Sequence, residues 1–308
     1  MNMRFLNGKG RSAILWGIGI SVGLLLFAVI MTNHETHVPL QDTFKNIVKK
    51  SEILSQMRID LLKSVEMEKN AVMAVTDTES QEFADQSLAA SAAVEKNLKI
   101  LRALIEANPL QDEKKLIIEF SNCWTELCML DTVILELAVQ NTNLKAASLS
   151  RGKGAKAMGR FEQALEDIQR SYSGNSNEGR VTRLSDRAII AGLKIYNLHS
   201  SHIAEASDEK MDQIEMQMKM EENATSKSIA ELAGIVGEKK RDELLEAKAA
   251  FLEFIEVTDN IVKLSRQNSN IKSLELSLNK KRKIAAVCDE ILAAFQENIQ
   301  SRTFKATR

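Results

Sequence analysis

Leu116, Phe120, Cys123, Leu127, Leu130, Ile134 and Leu137 stand four, three, four, three, four and three residues apart. At 3.6 residues per turn that spacing collects all seven on one side of a helix, whereas a strand, which alternates sides at every residue, would scatter them. Met158, Phe161, Leu165 and Ile168 make a second such stripe, and Leu54, Arg58, Leu61, Val65, Glu68, Val72 and Val75 a third. No helix hides a stripe of this length by itself, so each needs neighbours in a bundle. Two prolines and 13 glycines in 308 residues leave too little turn chemistry for the many corners of a β or α/β fold. The fold class is therefore expected to be all-α.

The chain also matches itself. Gln140-Asn141-Thr142-Asn143-Leu144-Lys145 recurs as Gln267-Asn268-Ser269-Asn270-Ile271-Lys272, at an offset of 127. The same offset aligns Leu149-Ser150 with Leu276-Ser277, Lys153 with Lys280 and Leu165 with Leu292. Upstream the offset is 131, pairing Leu62-Lys63 with Leu193-Lys194 and Asp77 with Asp208. Turn signals divide each copy into four helices. Thr78 with Gln81 suits a capping box, Pro109 suits the first turn of a helix, and Asn141-Thr142-Asn143 is a polar break. The helices are expected near 43–77, 79–107, 110–140 and 143–171, then near 181–207, 209–236, 238–267 and 270–303. The linker-like Ser171–Gly179 separates the copies, which reads as two tandem antiparallel four-helix-bundle modules, 40–172 and 180–305. Whether these lie side by side or end to end stays open.

Ser12 to Met31 is a run of 20 residues without a charge. As a helix it spans about 30 Å, the thickness of a bilayer's hydrocarbon core. Arg4, Lys9 and Arg11 precede it with no acid among them, which expects residues 1–11 in the cytoplasm and the bulk of the chain on the other side. The run is long for a cleavable signal peptide and no Ala-x-Ala site follows it, so 12–31 reads as an uncleaved transmembrane anchor. The net charge of −1 gives no nucleic-acid footprint. No nucleophile elbow, glycine-rich phosphate loop or HExxH motif is present, so an enzyme is not expected, nor a cofactor. Cys123, Cys128 and Cys288 align with Ala250, Ile255 and Phe161 of the other copy and so read as small core residues.

A basic N-terminus, one anchor and a long helical bundle beyond it resembles the ectodomain of methyl-accepting chemotaxis receptors. Met57 to Ala74 looks like the first helix of their four-helix-bundle domains, and Trp124 to Asn141 followed by the helix to Ile168 looks like their third and fourth. Two such modules match the size of the helical bimodular ectodomains in that superfamily. The resemblance implies a homodimeric sensory module in a bacterial inner membrane, single-pass here, with its bulk in the periplasm, binding a small organic acid or amine and signalling by helix displacement. A second span, a HAMP relay and a kinase-binding hairpin, which such receptors carry, are absent from these residues.

Four charged residues interrupt the apolar stripes and are candidate ligand groups: Glu68 and Arg58 in the first helix, Asp131 beside the third, and Arg151 in the fourth, read back from Met158. Counted from the turns, Glu68, Asp131 and Arg151 fall at one level, about 13 Å below the same end of the bundle. Such a layer is either an ion network that fixes helix register or a site in which Arg151 grips a carboxylate or the acids take an amine. In the second copy Glu68 is answered by His199, Asp131 by Thr258 and Arg151 by Leu278. His199 and His202, i and i+3 on one helix, could hold a metal or sense pH. A structural rod that docks a membrane or periplasmic partner is the competing expectation.

Overall fold

The computed structural model describes residues 44–306, and every element of regular structure in that range is helical. The helices are α1 (residues 44–73), α2 (Asp77–Ala107), α3 (Gln111–Gln140), α4 (Thr142–Leu149), α5 (Ala155–Ser171), α6 (Glu178–Ala204), α7 (Asp208–Ala233), α8 (Arg241–Gln267), α9 (Ser269–Glu275) and α10 (Arg282–Ala306). Two π-helical turns interrupt them, Ser150–Gly154 between α4 and α5 and Leu276–Lys281 between α9 and α10. They occupy matching positions of the internal repeat. The run 12–31 lies outside the described residues. Among the described residues no helix is long and apolar enough to cross a membrane.

Local chemistry explains most boundaries. No capping box forms at Thr78–Gln81; α2 is capped two residues earlier, where Thr76 Oγ1 accepts from the backbone N–H of Glu79 at 3.2 Å and donates to Glu79 Oε2 at 3.0 Å. Ser207, in an extended conformation, caps α7 by accepting from the N–H of Lys210. Asn141 and Asn268 adopt left-handed φ values of 50° and 57°. Asparagine tolerates this region better than other side-chain-bearing residues, which is why one residue suffices to end α3 and α8 and start α4 and α9.

The chain packs as two compact units assembled from separate segments. The smaller comprises the described residues up to Asp60, Ala92–Asn122, and those from Cys288 onward. Leu54, Met57, Leu98, Leu101, Phe120 and Phe295 are fully buried there, and buried Lys50 donates to Glu113 at 2.6 Å. The larger comprises Leu61–Ser91 and Cys123–Val287. Within it α5 packs on α8 and α6, α6 on α7, and α7 on α8. The core of this bundle is Met158, Phe161 and Leu165 of α5 with Val181 and Ile195 of α6, Leu232 of α7, and Phe251 and Phe254 of α8.

The grouping differs from 40–172 and 180–305. α4 and α5, the fourth helix of the first sequence copy, pack with α6, α7 and α8, the first three of the second. In return, Leu276 and Ile284 pack on Val72, Leu130, Ile134 and Ala138 of α1 and α3. The two copies have exchanged their fourth helices. The chain passes between helix sets at Asn141 and comes back at Asn268, and Ser171–Gly179 is a turn inside one bundle, tied by a hydrogen bond from Tyr172 Oη to Ile235 O at 3.3 Å. Similar stripes make this exchange invisible beforehand, since a seam that fits its own copy's fourth helix also fits the other's.

Candidate functional site

Glu68 on α1 and Asp131 on α3 do meet at one level, as their distances from the turns require, but their cation is Lys281. Lys281 Nζ donates to Glu68 Oε2 at 2.9 Å and is ion-paired with Asp131 Oδ1; Ser277 Oγ donates to the same Glu68 oxygen at 3.3 Å. Glu68, Asp131 and Lys281 are 0%, 4% and 1% exposed. Glu68 Oε1 and Asp131 Oδ2 have no hydrogen-bond partner. Two buried carboxylates thus share one ammonium, and the layer is short of positive charge. Burial pushes the Asp131 carboxyl up from its ordinary range; Lys281 opposes that shift and the Glu68 charge adds to it.

Arg151 is exposed and outside this layer. A heptad read back from Met158 turns it inward, but the π-helical turn changes the period: between Lys145 and Lys156 the buried positions are Ala146, Ser150 and Gly154, four residues apart each time. Ser150 therefore faces the core and Arg151 the solvent. Lys281 was within reach of the sequence. Extending the stripe Ala285, Cys288, Leu292, Phe295 backward by one four-residue step places a lysine in the apolar seam, and a second step places Ser277 there. Arg58 makes a two-pronged contact with Asp289, Nε to Oδ1 at 2.6 Å and Nη2 to Oδ2 at 2.9 Å, on a half-exposed surface of the smaller unit. That carboxylate holds the guanidinium pKa above its usual value.

The repeat places a second layer in the other helix set. His199 stands where the first layer has Glu68, Thr258 where it has Asp131, Ser150 where it has Ser277 and Gly154 where it has Lys281. His199 Nδ1 lies 3.0 Å from Ser150 Oγ, and Nε2 lies 3.0 Å from Thr258 Oγ1. Thr258 spends its own proton on Phe254 O at 2.8 Å, so Nε2–H donates to Thr258 and Nδ1 accepts from Ser150. The neutral imidazole is thereby fully satisfied. Burial, helped by the His202 charge, brings its pKa down to about 4. Gly154 leaves the space that Lys281 fills in the first layer: a Cβ there would lie 3.9 Å from the His199 ring.

His202, equally buried, has Nδ1 2.9 Å from Ser265 Oγ and Nε2 2.9 Å from Glu215 Oε1, which Arg266 Nε also contacts at 2.6 Å. Burial works to raise the Glu215 pKa, but the hydrogen bonds from Arg266 and His202 hold it below its ordinary value. The ring nitrogens of both histidines are thus engaged with hydroxyls and one carboxylate. Among the described residues no group of three or more His, Cys, Asp or Glu side chains is placed to hold a metal ion.

Cys123 and Cys288 are each disulfide-bonded, which their small-core positions did not anticipate. No family model matches the chain, and no curated protein sequence matches it either.

Proposed function

We propose that this chain is a membrane-anchored, extracytoplasmic sensory module, in which a ligand at the Glu68–Asp131–Lys281 layer biases the packing of the surrounding helices. The layer is the observation that carries this reading. Replacing a buried ion triad by apolar residues is often neutral or stabilising, so a chain needing only a rod gains nothing from Glu68, Asp131 and Lys281. The π-helical turn that delivers Ser277 and Lys281 is a known marker of functional sites and gives the helix an alternative, α-helical register to switch into. Disulfide-bonded Cys123 and Cys288 suit an oxidising compartment, and Ser12–Met31 has the length and flanking charges of an anchor. The ligand is a small organic amine or acid, and the module works as a homodimer.

The test is thermal unfolding of the full chain with a panel of amines and organic acids, repeated on Lys281→Met and Arg151→Ala. A ligand at about 100 times its dissociation constant adds about 2.7 kcal/mol of apparent stability. The expected result is a stabilisation that Lys281→Met abolishes and Arg151→Ala leaves intact. A panel without effect on the unaltered chain argues for a docking rod instead, a reading favoured by the apolar side chains Met129, Val133, Leu274 and Leu278 on the surface of α3, α9 and the adjoining π-helical turn.

A further inference from the structure

A concavity of about 520 Å³ opens between the end of α7 and the start of α8. That volume is within the ordinary range of small-molecule sites. It exists because the α7 side is built from the small residues Ala230 and Ala233, which leave Leu245 and Leu252 of α8 uncovered at 55% and 60% exposure. Buried Ile229 and Phe251 make its floor. Apolar surface left open in this way is unusual where a leucine in place of an alanine would close it.

The rim has a sign. Arg241 and Lys248 both line the trough, against one carboxylate, Glu238. Among the described residues neither cation is ion-paired, although neighbouring Lys240 is, to Glu243 at 2.5 Å. Seven residues apart, the two cations are on the same face of α8, about 10 Å apart along its axis. Their side chains are long enough to converge on one anion. We propose that this trough binds a small carboxylate with an apolar body, the body over Ile229 and Phe251 and the carboxylate on Arg241 and Lys248. An arginine supplies planar, two-pronged recognition of such a group, a lysine a mobile point charge. The trough shares no residue with the Glu68 layer, so either site can fail without the other.

The probe is 4-phenylbutyrate, titrated calorimetrically into the full chain in lipid nanodiscs, with empty discs measuring partition into lipid. Saturable binding above that background is expected. It weakens at least about tenfold in Arg241→Gln/Lys248→Gln and in Ala230→Phe, which fills the trough and keeps both cations. Removal of a nearby exposed charge outside the lining, Lys227→Gln, leaves it unchanged. Both test variants alter exposed positions, and helix content by circular dichroism verifies their fold; should Ala230→Phe unfold, the double variant decides. No saturable binding, binding that survives the double variant, or equal affinity for 4-phenylbutylamine would overturn the proposal.

Discussion

The backbone N–H of Thr142 donates to Ser269 Oγ at 3.1 Å, and the backbone N–H of Ser269 donates to Thr142 Oγ1 at 3.1 Å. These residues are counterparts in the internal repeat, so each copy's motif serves as the other's binding partner. The neighbouring asparagines extend the exchange. The N–H of Asn143 donates to Asn270 Oδ1 at 3.2 Å and that of Asn270 to Asn143 Oδ1 at 3.3 Å. The helix starts at α4 and α9 leave N–H groups without intrahelical partners, and here each start supplies the acceptors for the other.

This clasp is sensitive at Asn143, whose amide donates to Ile203 O and to Asn268 Oδ1, both at 2.8 Å. Asn143→Ala strands one buried and one half-buried acceptor and one backbone N–H, at about 1–3 kcal/mol each before relaxation. A loss of about 2–4 kcal/mol in urea unfolding is expected; a change below about 0.5 kcal/mol would show that the clasp contributes nothing net.

Lys281→Met leaves Glu68 and Asp131 buried without a cation and should cost about 3–5 kcal/mol. Adding Glu68→Leu and Asp131→Leu to the same chain should recover most of that loss. The measurement is a double- and triple-variant cycle, and strict additivity would contradict a coupled layer.

Asp131 and Glu68 should respond differently to neutral isosteres. Because burial raises the Asp131 pKa in the folded chain, its ionisation there is unfavourable. The stability it permits is present in full below the unfolded value, near 3.9, and declines as pH rises towards the raised folded value. Asp131→Asn should remove this decline and be tolerated at neutral pH, whereas Glu68→Gln removes the negative charge that Lys281 meets at 2.9 Å and should destabilise. Equal losses from the two isosteres would rule the asymmetry out.

His199 predicts acid lability of the opposite sign. Its pKa falls from an unfolded value of 6.5 to about 4 in the folded chain. The neutral ring's contribution is complete above pH 6.5 and is lost as pH falls towards 4. The groups facing it are Ser150, Thr258 and the His202 charge. Roughly 2 kcal/mol should disappear between pH 7.5 and pH 5. Urea unfolding at those two pH values, on the unaltered chain and on His199→Gln, measures it; an unchanged difference in the variant assigns the slope to other groups.

Alkylation of the denatured chain before and after reduction, read by mass spectrometry, should label Cys123 and Cys288 only after reduction. Reductant should lower the stability of the folded chain by about 2–5 kcal/mol. Full labelling of both without reductant would remove these cysteines from the argument for an oxidising compartment.

The stripes, the repeat and the breaks at Asn141 and Asn268 were sufficient to place eight long helical segments close to where they lie, because burial at 3.6 residues per turn and a left-handed asparagine are both written locally. The level shared by Glu68 and Asp131 followed from the same arithmetic, since rise per residue is constant along a helix. The cation did not. A π-helical turn shifts the inward face, so Ser150 took the place expected of Arg151. Which fourth helix joins which three was also beyond reach, because each apolar seam specifies the shape of a partner and not its address. Sequence alone determined that this chain is helical, repeated and studded with polar residues inside its seams. Tertiary structure decided that the copies trade their last helices, a choice between nearly equivalent seams that brings Lys281, 213 residues from Glu68, to its side.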